Sequence, residues 1–515
     1  MVGPELFLGL VGAVGTDLQY VDELVAKELR GVGYTDKRVR LSELLLDCYV
    51  NRELRGDVNG PEDTRIDNLM QAGDRLRVAA ARGDAVALLA ISKIRQIREE
   101  AGSSGKSLSR HAFLLRSLKH PDEIKTLRDV YGGAFIVISV YTPRSVRKEA
   151  LCKRISRSRH EYDDEKFSEV ADRLIDTDEK EPGNSLGQNV QDAFPEADIF
   201  LDASDPTDLP RQVTRMIEII FRHPYRTPTL DEYGLFHAKA SALRSADLSR
   251  QVGAVIMTCD GEVIAAGCNE VPKSGGGAVW EGDEDNSSRD RRDFKVGHDS
   301  SVRMKHDIFE EIFERLRCAG WLSENASSLP NSTLVDDALF SDSPIFSGTR
   351  AASIIEFGRI VHAEMMAITD AARRGLSVKD ATLYCTTFPC HVCARHIIAS
   401  GIRRVVYIEP YPKSMAKTLY KGSIDVDHDT EADDDAVEFE SFVGVSPNRY
   451  IDFFEMPVRK DKRGHIVSWM PAEALPRLKQ YPTYLEIETV HVDQLAQHST
   501  SWGITEAENE EGESQ

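Results

Sequence analysis

Two cysteines and one histidine have the types and the spacing of a metal-binding site. Cys390 and Cys393 are separated by two residues in PCHVC, and His362 precedes Cys390 by 28 residues in VHAEMMAI. A catalytic zinc ion is usually held by three such nitrogen and sulfur ligands, with the fourth position left to water. The sequence therefore predicts Zn²⁺ bound by His362, Cys390 and Cys393.

An acidic residue completes this pattern. Glu364 follows His362 by two residues, about 200° around a helix, so both side chains reach one site only from a first helical turn. Pro389 before Cys390 also favours a helix start, where free N–H groups and the helix dipole stabilise thiolates. We expect two helix N-termini to meet at the metal, with Glu364 as the catalytic residue that transfers protons.

The cysteine pair alone also fits a structural zinc site or a redox pair. A structural zinc needs a fourth ligand, and the chain has neither a second CxxC nor an HxxxH pattern. A thioredoxin-like pair follows the first strand of a small βαβ unit, whereas Cys390 follows a proline late in the chain. H-x-E followed by P-C-x-x-C is the pattern of zinc deaminases, which favours a catalytic site.

The 515 residues are enough for at least two domains. In residues 1–228, apolar runs that fit buried strands alternate with helical patterns, which predicts a parallel α/β sheet. We place the boundary in HPYRTPTLDEYG because it contains two prolines and several turn-forming residues. Residues 229–490 form the second predicted domain, in which QVGAVIMTCDGEVIAAGCN is a β-hairpin pattern and residues 273–350 are a long polar insert.

Two acidic segments are predicted to be solvated. They are DVDHDTEADDDAVEFE at 425–440 and the acidic tail at 491–515. Residues 160–206 are also acidic and are interpreted as a loop or lid.

Overall composition restricts the class of partner. The formal net charge of -21 repels a polyanion, which argues against extended binding to DNA or RNA. No apolar run reaches the roughly 18 residues that cross a bilayer, so we expect no membrane association and a cytoplasmic location. The 8 cysteines are scattered apart from the one CxxC, unlike a secreted disulfide framework.

Four segments of the second half resemble the deoxycytidylate-type branch of the cytidine deaminase superfamily. They are RSADLSRQVGAVI, IAAGCNEVPKS, HAE and PCHVC, and they span about residues 230–410. The resemblance implies an α/β/α domain with a mixed sheet, zinc on the three predicted ligands and proton transfer by Glu364. It also implies that Asn269 contacts the sugar or base of a deoxycytidine nucleotide; a turn residue at the hairpin exit is the alternative.

The phosphates of such a substrate require cations. The insert brings Arg289, Arg291, Arg292 and Lys295 together in SSRDRRDFKVGHDS, although such a run is commonly a solvated charged surface. From these candidates we select Arg292, together with Lys273, as predicted substrate-binding residues. Lys413 is a further candidate.

The first half begins with FLGLVGAVGTD, a strand, a glycine loop and a helix start. When Gly15 is aligned with the last glycine of G-x-x-x-x-G-K-[ST], Thr16 replaces the lysine and Leu10 the first glycine. This degenerate loop is not expected to transfer a phosphoryl group. Gly12, Gly15 and Thr16 are predicted to bind a nucleotide through backbone N–H groups, with a purely structural turn as the alternative.

A degenerate P-loop kinase-like half followed by a deoxycytidylate-type deaminase with a long insert is similar to the bacterial anti-phage dCTP deaminases, over about residues 5–470. The resemblance implies hydrolysis of dCTP, and also of dCMP, to deoxyuridine nucleotides and ammonia, so that dCTP depletion limits phage replication. It further implies a homo-oligomer and a regulatory first half that responds to a nucleotide, RNA or phage-derived signal.

Several alternatives stay open. A housekeeping dCMP deaminase with an allosteric domain shares the reaction, and a nucleotide-binding sensor would use the zinc structurally. Deaminases of tRNA adenosine or polynucleotide cytosine share HAE and PCxxC, although the negative charge and the absence of a basic aromatic face disfavour them.

Overall fold

The chain forms two compact units. The structure is a computed structural model, and it describes residues 3–103, 105–181, 183–281, 290–341, 344–354, 357–409, 414–426, 432–456, 458–476 and 484–506. The first unit consists of Met1–Glu232 together with Val443–Gln515, and the second of Tyr233–Phe442. The predicted boundary lies after residue 228, and the first segment of the first unit ends at Glu232. The described residues of 443–490, predicted to belong to the second domain, belong to the first unit instead.

The described residues form twelve strands, numbered in chain order. They are β1 (Leu6–Gly12), β2 (Thr35–Arg40), β3 (His111–Leu118), β4 (Phe135–Tyr141), β5 (Ile199–Asp202), β6 (Gly253–Met257), β7 (Val263–Cys268), β8 (Thr382–Thr387), β9 (Arg404–Glu409), β10 (Ile424–Val426), β11 (Val437–Ser441) and β12 (Gly444–Val445).

The same residues form nineteen α-helices. They are α1 (Leu18–Gly31), α2 (Leu41–Asp47), α3 (Glu62–Ala80), α4 (Ala85–Glu100), α5 (Pro121–Tyr131), α6 (Arg144–Ser158), α7 (Ser168–Glu179), α8 (Val190–Ala193), α9 (Leu209–Ile220), α10 (Leu230–Ala242), α11 (Asp293–Val296), α12 (Ser300–Cys318), α13 (Glu324–Ser327), α14 (Asn331–Leu339), α15 (Ala363–Arg374), α16 (His391–Ser400), α17 (Ala416–Leu419), α18 (Tyr450–Phe454) and α19 (Tyr484–His498). Among the described helices, none has the length and apolar character required to cross a membrane.

The sheet of the first unit has the order β12-β5-β4-β1-β3-β2. Strands β1 to β5 are parallel, which agrees with the predicted parallel sheet although β2 itself was not predicted, and the short β12 pairs antiparallel with β5 and makes the sheet mixed. The central β1 is buried along its whole length because helices cover both faces of a parallel sheet. The glycine loop that follows β1 therefore lies at the carboxyl edge of the sheet.

Part of the predicted loop or lid at 160–206 is helical. Helix α7 buries Ala171, Leu174 and Ile175, and these residues pack with Leu151 and Ile155 of α6. The prediction was wrong because the charged exposed face of α7 masks its apolar spacing.

A buried ionic cluster attaches the end of the chain to the first unit. Arg98 of α4 donates to the Glu5 carboxylate at 2.8 Å and to that of Glu488 on α19 at 2.5 Å. The hydroxyl of Tyr484 also donates to Glu5, at 2.6 Å. The predicted acidic tail at 491–515 is thus incorrect for its first part, because α19 continues to His498 and the following Trp502 is buried.

Replacing Arg98 by methionine is expected to destabilise the first unit by about 3–5 kcal/mol, because two buried carboxylates lose their shared cation. The loss of unfolding free energy is measured by denaturant titration, with hydrogen exchange of α4 and α19 as the local probe. Arg95→Met is the matched control on the same helix, since the Arg95–Glu99 pair is half-exposed and contributes at most about 1 kcal/mol. Equal losses in the two variants would contradict the role of the cluster.

The sheet of the second unit has the order β10-β11-β9-β8-β6-β7 and is mixed. Strands β6 and β7 form the predicted antiparallel hairpin, with Gly261 in its turn at φ +89°. The predicted solvated segment at 425–440 instead contributes β10 and β11, apart from residues 427–431, which lie outside the described part. Strand β11 alternates, burying Val437 and Phe439 while its glutamates face outward, so its acidity is confined to one face.

Candidate active site

Two helix N-termini meet at the carboxyl end of β8, as predicted. His362 is the N-cap residue of α15, and Cys390 is the N-cap residue of α16, which is separated from the end of β8 by three residues. The side chains of His362 and Glu364 therefore lie at the edge of one first turn. The same geometry places Cys393 in the first turn of α16.

A glycine in β7 allows α15 to approach the sheet. A Cβ atom added to Gly267 would lie 2.2 Å from the carbonyl oxygen of Ala363 and 2.6 Å from the amide nitrogen of Ala367. A larger residue at position 267 would displace the start of α15 and hence His362 and Glu364. In the sequence, Gly267 is visible only as one residue of the β-hairpin pattern.

The three predicted zinc ligands lie together. The Nδ1 atom of His362 is 3.2 Å from Sγ of Cys390 and 3.4 Å from Sγ of Cys393. All three ligand atoms lie within 4.8 Å of one another. Two sulfurs and one imidazole nitrogen, converging from two rigid helix ends, form a donor set that fits zinc.

Charge at this cluster also fits a cation. Hydrogen bonding to Cys393 and to His362 lowers the pKa of the Cys390 thiol to about 4, although burial opposes the shift. Hydrogen bonding to Cys390, together with burial, raises the pKa of Cys393. The hydrogen bond to Cys390 also raises the pKa of His362, so a Cys390 thiolate is paired with this imidazole, and the thiolate is the form of cysteine that binds metal ions.

Glu364 lies beside this cluster and is nearly inaccessible, with 4% of its surface exposed. Burial raises the pKa of the Glu364 carboxyl above its ordinary value, and the neighbouring Cys390 adds to the shift. A buried carboxyl group with a raised pKa holds a proton more tightly than an exposed one, which is a property of residues that accept and donate protons in general acid–base catalysis.

A cavity of about 450 Å³ opens onto this cluster. Its volume lies in the range of small-molecule sites. It is lined by Asp247, Ser249, Arg250, Val252, Asn269, Asp299, Ser301, Lys305, Ile354, Gly358, Ile360, His362, Ala363, Glu364, Thr387, Phe388 and Cys390.

Asn269 lines the cavity and also holds its wall. The side-chain oxygen of Asn269 accepts from the N–H of Val252 at 2.7 Å, and its amide donates to the carbonyl of Arg250 at 2.8 Å. These bonds fix the segment before β6, which agrees with the alternative of a structural residue at the hairpin exit. Substrate contact by Asn269 stays a prediction.

The cations of this wall differ from the predicted ones. Neither Lys273 nor Arg292 is among the described residues that line the cavity, and Arg292 forms a bidentate pair with Asp290. The candidates Arg289 and Lys413 lie outside the described residues. The structure instead brings Arg250 and Lys305 to the wall.

Sequence reasoning missed both cations of the wall. Arg250 was within the quoted RSADLSRQVGAVI motif, whereas Lys305 belongs to α12 of the insert. No local pattern indicated that α12 packs next to the zinc ligands.

The predicted nucleotide-binding residues lie in the first unit. Gly12 ends β1, Gly15 has φ +94°, and Thr16 is buried just before α1. A Cβ atom at Gly15 would lie 2.8 Å from the carbonyl oxygen of Arg147, so close packing as well as backbone conformation requires glycine.

Residues 228–409 match the family model for the cytidine and deoxycytidylate deaminase zinc-binding region. A region similar to the zinc-binding region of these deaminases thus lies in the second part of the chain, and zinc is its cofactor, as predicted. The His362, Cys390 and Cys393 cluster lies inside the matched region.

Several proteins with similar sequences are named deoxycytidylate deaminases. Deoxycytidylate deaminase of Enterobacteria phage T4 is 50% identical over 54 residues, which are 10% of this chain and 28% of the phage protein. Probable deoxycytidylate deaminase of Drosophila melanogaster is 25% identical over 193 residues, 38% of this chain and 64% of the fly protein. The chain therefore spans less than a third of the length of the phage relative that it matches.

Among solved structures, dCMP deaminase from the cyanophage S-TIM5, in complex with dCMP and dUMP, is similar to part of the chain. The two are 16% identical, and the match covers 42% of this chain and 100% of the cyanophage chain with a TM-score of 0.23.

Proposed function

We propose that the second unit deaminates deoxycytidine nucleotides hydrolytically, converting dCTP, and also dCMP, to deoxyuridine nucleotides and ammonia. The observation that carries this proposal is the buried Glu364 carboxyl in one cavity with His362, Cys390 and Cys393. A purely structural zinc site would need neither an open cavity nor a buried carboxyl beside the ligands. The names of the phage and fly relatives support a deoxycytidine nucleotide as the substrate class.

The residues of the site have different roles in the proposed reaction. His362, Cys390 and Cys393 would hold the zinc ion, which would supply a water molecule made nucleophilic near neutral pH. Glu364 accepts a proton from the attacking water and transfers it to ring nitrogen N3 of cytosine. A second proton moves through Glu364 to the exocyclic amine as the C4–N bond breaks, leaving uracil and ammonia.

Arg250 and Lys305 are proposed to bind the substrate phosphates in place of the predicted Lys273 and Arg292. Both line the cavity that contains the zinc ligand His362 and Glu364. Arg250 is held by Glu409 at 3.5 Å, which orients its guanidinium at the cavity edge. Asn269 is proposed to position the Arg250 backbone, and the sugar or base lies against this segment.

The biological role is proposed for the whole chain. The enzyme is proposed to deplete dCTP in anti-phage defence. Its first unit is proposed to be a P-loop kinase-like regulatory domain, and the chain is proposed to assemble into a homo-oligomer. Support comes from the parallel strands β1 to β5, with a glycine loop after the central β1 and a deaminase zinc-binding region in the second unit.

The purified full chain is expected to convert dCTP and dCMP to dUTP and dUMP with release of ammonia, to contain about one zinc per chain, and to leave cytosine in single-stranded DNA or RNA unchanged. The measurement follows the deaminated nucleotides by chromatography with dCTP, dCMP, CTP and the two polynucleotides as substrates. Turnover of dCMP alone would instead favour a housekeeping dCMP deaminase. Bound zinc without turnover of any substrate would favour the sensor with a structural zinc.

A pair of matched variants tests the phosphate contacts. Lys305→Gln is expected to raise KM for dCTP by about tenfold, as loss of a charge-assisted hydrogen bond requires. Arg292→Gln is expected to change KM less than twofold, because Arg292 already pairs with Asp290. A larger increase in KM for Arg292→Gln than for Lys305→Gln would instead support Arg292, the residue predicted from the sequence, as the phosphate contact.

A further inference from the structure

The first unit contains a second and larger cavity, of about 850 Å³, at the carboxyl edge of its sheet. Gly12 at the end of β1 and Lys119 just after β3 both line it. After β1 the chain continues to β2 on one side, and after β3 it continues to β4 on the other. Open α/β sheets bind ligands at such a point, where the connections diverge.

The side chains of Thr16 and Arg116 line this cavity and form no hydrogen bond or ion pair with the described residues. Thr16 is 8% exposed, and its Oγ1 atom makes no hydrogen bond. Arg116 of β3 is half-buried, its Nη1 atom is unpartnered, and it forms no ion pair with the described residues. Since buried polar groups are normally satisfied, these two point to a missing acceptor.

The electrostatic surroundings of Arg116 indicate an anion. Burial and the nearby Arg40 lower the pKa of Arg116 below its ordinary value, and the opposing carboxylates of Asp22 and Glu43 are already paired with Arg38 and Arg40. Across the cavity, Arg65 and Arg154 share the single carboxylate of Glu62, which leaves one further positive charge.

The glycine loop itself is already occupied by an anion of the protein. The carboxylate of Asp178, which is fully buried, accepts from the N–H of Val14 at 2.7 Å and pairs with Lys119 at 2.7 Å. Lys119 also donates to the carbonyl of Gly12 at 3.0 Å. Asp178 thus takes the position that a phosphate occupies in an anion-binding loop, so an incoming anion must bind elsewhere in the cavity.

The opposite wall is apolar. Helices α2 and α3 contribute the side chains of Leu41, Leu45, Ile66, Leu69 and Met70. A ligand with an anionic group for Arg116 and Thr16 and a flat ring for the apolar side chains would fit this cavity. A nucleoside phosphate has both.

We propose that this cavity binds a nucleoside phosphate, with its phosphate at Arg116 and Thr16, its base against α2 and α3, and the glycine loop kept closed by Asp178. The ligand is bound without phosphoryl transfer, because the cation near the loop, Lys119, is already paired with Asp178. Gly12 and Gly15 shape the loop, and their N–H groups are not the principal phosphate contacts.

Calorimetric titration of the full chain tests this site with ATP, GTP and dTTP, none of which contains cytosine, and with inorganic tripolyphosphate. At least one nucleotide is expected to bind, and hydrogen exchange is expected to show protection of residues 12–20 and not of residues 362–393. Arg116→Gln is expected to weaken binding about tenfold or more, because it removes a charge-assisted bond. Thr16→Val, which is nearly isosteric, is expected to weaken it several-fold.

Arg211→Gln is the matched control, since Arg211 lies in the same unit, pairs only with Asp208 in the described structure and is largely exposed. Binding unchanged by Arg116→Gln and by Thr16→Val would overturn the proposal, as would no binding of any nucleotide at about 1 mM. Equal affinity for tripolyphosphate would overturn the nucleoside part. These outcomes do not test the proposed deaminase activity, because the experiment measures nucleotide binding to the first unit.

Discussion

Glu364→Gln is expected to lower kcat/KM for deamination by about 10²–10⁴-fold while zinc stays bound, the range that general acid–base catalysis contributes. Glutamine keeps the size of the side chain and its place in the first turn of α15, but it cannot accept the proton of the attacking water. The buried position excludes solvent from the carboxyl, so no outside base substitutes easily. Steady-state kinetics and zinc content, measured on the same preparation, check the result.

Asp370→Asn provides the control for this variant. Asp370 is on the same helix as Glu364 but pairs with Arg373 and Arg374 away from the cavity, so its replacement is expected to change kcat/KM less than twofold. Persistent deamination in Glu364→Gln with stoichiometric zinc would remove Glu364 from the reaction. Loss of zinc in that variant would show that Glu364 serves the metal site rather than proton transfer.

Much of the fold was predictable because buried strands have a local signature. The apolar runs of β1, β3, β4 and β5 are buried in a sheet covered by helices, so burial is visible in their composition. The edge strand β2, TDKRVR, was missed because most of its side chains are exposed. Strands β10 and β11 were missed for a related reason, since each buries only one face.

The return of the chain to the first unit was hidden for a different reason. Helix α19 is held by Arg98 and Glu5, which are several hundred residues away in sequence, and one charged residue in a helix carries no sign of such a partner. Long-range ion pairs depend on the tertiary arrangement, which a local pattern does not contain.

The zinc ligands and Glu364 could be found from sequence because two helix starts impose fixed spacings on them. The phosphate cations could not be found in this way, because the insert places Lys305 in the wall through packing of α12, whereas the conspicuous Arg292 pairs locally with Asp290. The glycine loop was recognised, but its occupation by Asp178 depends on α7, which the sequence did not reveal as a helix.

Cys390→Ser is expected to reduce zinc affinity by more than about 100-fold and to abolish deamination. Altering groups that only support metal ligands already costs about 10–100-fold, so the loss of a direct thiolate ligand costs more. Serine is a favourable N-cap residue, so α16 can still begin after position 390 and the loss reports on the sulfur rather than on the helix. Zinc content after dialysis against a chelator, measured by mass spectrometry, checks the prediction.

Cys385→Ala separates the loss of a ligand from the loss of any buried thiol. Cys385 lies in β8, is fully buried, and is not part of the ligand cluster, so its replacement is expected to cost stability without releasing zinc. Full zinc content in Cys390→Ser would contradict the three-ligand site. Zinc loss in both variants would mean that packing around β8, rather than the Cys390 thiolate, controls metal retention.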